Sequence, residues 1–161
     1  MENNNKKLID KLNHLVSIAN DGKYGYKTAA ENVEDITLKQ LFLQYSTERE
    51  AYAKELKNRV ASLGDSSDEG GGPLGSLHRA WIDIKAILTS GDREAILKAC
   101  VTGEEAAVKA YREALDEDYI DSNIRQVITT QLSGVEAALN SIRSLVAVGK
   151  DLKNGKPIIK F

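Results

Sequence analysis

The sequence predicts an all-α fold: an antiparallel four-helix bundle whose long middle connection carries a short extra helix. Three observations point there. Apolar residues recur at alternating steps of three and four along four long stretches. The only two prolines among 161 residues are Pro73 and Pro157, and good helix formers dominate the rest. No run of useful length alternates at the period of a strand.

A chain that is 42% hydrophobic can fill the core of one domain. With 22 Lys plus Arg against 24 Asp plus Glu, no global field draws it onto nucleic acid or an anionic membrane, so neither is an expected partner. No run approaches the roughly 18 apolar residues of a membrane span. The segment Met1 to Asp10 is polar and lacks the apolar stretch of a signal peptide. Cys100 is the single cysteine and has no intramolecular disulfide partner, so a reducing, cytoplasmic setting is expected.

The first helix is expected at about 6–33, with Leu8, Leu12, Leu15, Ala19, Gly22, Tyr26, Ala29 or Ala30, and Val33 on its seam. The pattern passes through Gly22 and Gly25 in phase. Those glycines therefore read as close-approach positions inside the helix, against the alternative of a break at Asp21-Gly22. Asp35 and Thr37 are N-cap candidates for a second helix at 37–63, with Gln40 placed as a capping-box partner of Thr37. Its stripe runs through Leu38, Leu41, Phe42, Tyr45, Glu48 or Arg49, Tyr52, Leu56, Val60 and Leu63. Residues 64–75 are rich in Gly, Ser and acids and read as a flexible crossover. A short helix at 76–89 follows on Leu77, Trp81, Ile84 and Leu88, then a helix at 92–117 that Asp92 should cap. The last, at 122–152, is capped by Asp121 or Ser122, and a tail follows at 155–161. Residues 1–154 thus form one bundle.

Polar residues interrupt the seams at matching depth: Glu48 and Arg49, then Glu104, then Gln131, with Tyr111 near. Inward carboxylates on several helices are also how a bundle builds a carboxylate-bridged di-metal site, with Glu-x-x-His pairs supplying imidazoles. The residues three before His14 and His78 are Lys11 and Gly75, so that motif is missing. Glu48, Arg49, Glu104, Gln131 and Tyr111 read instead as a buried polar layer that sets helix register. No catalytic, metal or cofactor-binding residue is assigned, and no cofactor is expected. His14 reads as solvent-edge, His78 as a neighbour of the Trp81 indole, and Cys100 as a buried, inert thiol. Tyr26, Tyr45, Tyr52 and Tyr111 read as core aromatics whose hydroxyls reach the rim. Ile82, Val101 and Val108 lie off the main stripes and offer a surface for a homo-oligomer.

Taken together, Asp21-Gly22, Gly25-Tyr26, Ala29 to Asp35, Leu41-Phe42, Glu48-Arg49, Glu55-Leu56, Gly75 to Trp81, Gly103-Glu104, Tyr111, Ala114-Leu115 and Gln131 resemble a bacterial family of ferritin-like four-helix-bundle proteins, a domain of unknown function. The resemblance covers roughly residues 6–150. It implies a ferritin-like fold and no established activity. Active ferritin-like proteins carry carboxylate and His ligands, and this chain departs from them at every imidazole position. The function expected is a non-enzymatic, interaction or stress-associated scaffold without a di-iron centre. The competing readings are a metal-dependent oxidoreductase with a non-standard carboxylate site around Glu48, Glu104 and Gln131, and a small-ligand carrier with a pocket beside Trp81 and Tyr111.

Overall fold

The computed structural model describes residues 2–64 and 84–153, and these are all-helical with no strand. Four long helices are present: α1 (Glu2–Asn32), α2 (Ile36–Ser62), α3 (Arg93–Leu115) and α4 (Ser122–Lys153). A short helical segment at 84–88 precedes α3 and buries Ile84 and Leu88. The rest of the expected short helix, with His78, Trp81 and Ile82, lies outside the described residues. So do the crossover beyond Gly64 and the tail. Among the described residues, no helix is long and apolar enough to cross a membrane.

α1 runs unbroken through Gly22 and Gly25. Its seam residues Leu12, Leu15, Ala19, Tyr26, Ala29, Ala30 and Val33 are buried as their spacing requires. Burial on α1 is wider than one stripe, because Val16, Ser17 and Ile18 are also covered. α2 begins two residues earlier than the Thr37 capping box would have it. Asp35 is the N-cap, and its carboxylate accepts from the N–H of Thr37 at 2.9 Å and of Leu38 at 3.2 Å. Thr37 is thereby already inside the helix. Asp92 caps α3 by accepting from Ala95 N–H at 3.2 Å. At α4 the cap is Asp121, whose side chain accepts from Ile124 N–H at 3.0 Å.

Cross-helix contacts define the directions. From Lys23 to Tyr26 on α1, the partners on α2 run back from Ser46 to Tyr45 and Phe42, so the two helices are antiparallel. α3 and α4 are antiparallel too, since Glu105 pairs with Arg143 and Tyr111 with Gln131. Along α1 and α3, His14 lies near Glu113 and Tyr26 near Glu104, which is again antiparallel. α2 and α3 must therefore run parallel. The Asp35–Arg93 pair at 3.8 Å joins their starting ends. α2 has 27 residues, about 40 Å of helix, so the chain has to return over that length between Ser62 and Arg93.

The core forms two apolar halves. One gathers Leu8, Leu12, Leu15, Leu56, Val60, Ile124, Ile128 and Val135, and the other Tyr26, Phe42, Leu88, Ile96, Leu97 and Ile142. Val108 belongs to the first half and Val101 packs against both, which corrects their assignment to a free surface for oligomerisation. Val108 lies on the α3–α4 side together with Leu139, which widens the buried face of α3 beyond one stripe.

Replacing Asp35 by Ala removes two helix-capping acceptors and should lower unfolding free energy by about 1 kcal/mol in a urea titration. The exposed ion pair to Arg93 adds little to that cost. An unchanged midpoint would mean that the cap is not structural.

Candidate functional site

Between the two apolar halves lies a polar layer. Arg49 and Glu104 are each 2% exposed, Gln131 and Tyr111 1%. Arg49 sits on the core stripe of α2 and Glu104 on that of α3. Their side chains meet in a two-pronged ion pair, Nη1 donating to Oε1 and Nη2 donating to Oε2 at 2.6 Å. This fork geometry makes two charge-assisted hydrogen bonds at once and leaves neither carboxylate oxygen free of the guanidinium.

Two rings flank the guanidinium. Its carbon lies 5.6 Å from the Tyr26 ring centroid and 5.8 Å from that of Tyr52, within cation–π range. Gly22 supplies the space: a Cβ there would come within 3.3 Å of Arg49 Cγ. That explains a glycine inside a long helix better than any turn. Gly134 of α4 does the same for Tyr52, whose hydroxyl occupies the place that a Cβ would take. Each glycine admits a large side chain from the neighbouring helix.

A second branch reaches the surface. Tyr111 Oη donates to Gln131 Oε1 at 2.7 Å. Gln131 Nε2 donates to Glu55 Oε1 at 2.9 Å and to the Tyr52 carbonyl at 3.2 Å. The Gln131 amide is thus used on both sides, and it ties α4 to α2 and α3. Arg49 Nε and Tyr26 Oη have no hydrogen-bond partner among the described residues.

Electrostatics follow from burial. Desolvation alone would lower the Arg49 pKa, but the hydrogen bonds and charge of Glu104 outweigh it, so the guanidinium is held above its ordinary value. Burial raises the hydroxyls of Tyr26 and Tyr111, and Glu104 adds to it. Cys100 is 4% exposed, and burial, with a smaller contribution from Glu104, pushes its thiol up, away from the reactive thiolate.

Two expectations need correction. Glu48 is not in the layer. It is half-exposed and accepts from Gln44 Nε2 at 3.4 Å on the surface of α2, because Arg49 takes the inward position and its neighbour is turned aside by about 100°. Tyr26 and Tyr111 do not send their hydroxyls to the rim but end inside the layer. Tyr52 and Gly22, both on the predicted seams, join it, and so do Glu55 and Gly134, which spacing did not mark. The useful signal was the pairing of helix-interior glycines with large side chains at the same depth on the next helix.

The layer does not fit a carboxylate-bridged metal centre. Among the described residues, no group of three or more His, Cys, Asp or Glu is arranged to hold a metal ion. The inward carboxylate, Glu104, already has a cation against both oxygens. What the layer does is hold helices α2, α3 and α4 at one relative height.

Removing one member of the ion pair leaves the other charged and buried. Arg49→Met and Glu104→Gln should each lower unfolding free energy by about 3–5 kcal/mol in denaturant titrations. A loss below about 1 kcal/mol in either variant would mean that the pair is open to water.

No curated protein matches the chain. A family model described as a domain of unknown function, DUF2383, matches residues 7–117. That stretch takes in nearly all of α1 and the whole of α2 and α3, with Arg49, Glu104 and Tyr111, and stops short of α4 and Gln131. Matched over more than half of its length, the chain belongs to the DUF2383 family.

Proposed function

We propose that the chain is a cytoplasmic, ferritin-like four-helix bundle that works as a non-enzymatic interaction or stress-associated scaffold. The antiparallel neighbours and the long return from α2 to α3 support the bundle topology. The observation that carries the functional reading is the Arg49–Glu104 pair. Catalytic ferritin-like proteins keep metal-binding carboxylates at mid-core, whereas here a guanidinium neutralises the inward carboxylate and a tyrosine and a glutamine close the adjacent space. A core arranged in this way supplies rigidity, and activity then resides in the outer faces.

The competing reading, a metal-dependent oxidoreductase, makes the opposite prediction about metal. Protein purified from cells grown with ample iron and manganese should contain either metal at well below one equivalent by elemental analysis. It should also take up no Fe(II) on titration. Near-stoichiometric metal, or saturable Fe(II) binding lost in Glu104→Gln, would overturn the scaffold reading.

A further inference from the structure

Within the polar layer, α2 and α4 meet through Tyr52 against Gly134 and Gln131 against Glu55. Beside this junction the two helices part into a groove of about 380 Å³, lined by Glu55 and Arg59 of α2 and by Asn123, Gln126, Val127 and Thr130 of α4. Val127 forms an apolar floor and is 8% exposed. Arg59 is half-buried, and its guanidinium makes no ion pair or hydrogen bond among the described residues. Asn123, Gln126 and Thr130 place two amides and a hydroxyl on the facing wall. Glu55 keeps one carboxylate oxygen on Gln131 and lies one helical turn from Arg59.

We propose that this groove binds a small zwitterion, an amino-acid-like molecule with one carboxylate and one ammonium group. The carboxylate pairs with Arg59, which offers a planar fork of donors with no competing acid bound to it among the described residues. The ammonium group pairs with Glu55, whose charge makes a dianion such as phosphate a poor occupant. Asn123, Gln126 and Thr130 hydrogen-bond the same polar ends from the other wall, and the short chain between them lies over Val127. The volume falls within the range of small-molecule pockets. An occupant touching both walls would clamp α2 to α4 where they part, so binding also stabilises the fold. The proposal goes beyond the scaffold reading and does not depend on it.

The full chain, labelled with ¹⁵N, should be titrated with 4-aminobutyrate, butyrate and butylamine, which carry both charges, the carboxylate alone and the ammonium alone. The expected result is saturable shifts for 4-aminobutyrate at the Asn123, Gln126 and Thr130 amides, with a rise in Tm. Butyrate and butylamine should bind at least about tenfold more weakly, since each forfeits one charge-assisted contact. Arg59→Met, on a half-buried side chain whose replacement spares the core, should abolish the shifts, and Glu55→Gln should erase the preference over butyrate. The proposal is overturned by a lack of saturable shifts up to about 20 mM, where even a millimolar site would be filled. Equal binding of all three compounds, or unchanged binding in folded Arg59→Met protein, would overturn it as well.

Discussion

A guanidinium and a carboxylate buried at mid-height of a helical core can stay charged only if each meets the other. Arg49 comes from α2 and Glu104 from α3, so their contact locks the relative height of two helices that are far apart in sequence. Taking both charges out of water costs several kcal/mol per ion before the pair is formed. The return comes from two charge-assisted hydrogen bonds, two flanking rings and near-complete burial. A slip of α2 by one residue in either direction would present Glu48 or Glu50 to Glu104 and set two carboxylates against each other. The apolar halves on either side supply most of the stability. The pair selects one arrangement among the many that apolar seams alone would tolerate.

The remaining features follow from that selection. α2 and α3 run parallel, each antiparallel to α1, and the chain must then return from the end of α2 to the start of α3. Gly22 and Gly134 replace residues that would collide with Arg49 and Tyr52. Gln131 satisfies Tyr111 and reaches Glu55 and the Tyr52 carbonyl, and so carries the constraint to α4. Within the layer, Arg49 Nε and Tyr26 Oη have no hydrogen-bond partner among the described residues. Their cost is borne because the rest of the layer is satisfied.

Much of this was legible in the sequence, for a physical reason. A helix buried along one face repeats its apolar residues near the helical period, and α2, α3 and α4 follow that rule closely enough to give their positions within a few residues. Asp92 and the Asp121-Ser122 pair stand where an N-cap has to be, whereas at α2 two candidates two residues apart competed and Asp35 prevailed over Thr37. The inward positions of Glu104 and Gln131 were readable because each continues the three-and-four spacing of its seam, even though the buried Leu132 stands beside Gln131. Glu48 and Arg49 both border the seam, and periodicity does not separate neighbours when the contact that decides between them lies on another helix. Hydroxyl directions were hidden for the same reason. Tyr111 turns inward because Gln131 is there to accept from it, and the burial of Ser17 and Val108 depends on packing across helices.

The most direct test of the register argument is a double-mutant cycle on the two buried charges, with unfolding free energies measured for the parent, Arg49→Met, Glu104→Leu and the combined variant. If the pair enforces register through mutual neutralisation, the combined variant recovers most of what either single change loses, with a coupling energy of several kcal/mol and a helical, cooperatively unfolding product. Losses that simply add would contradict the account, because they would mean that Arg49 and Glu104 act on the fold independently.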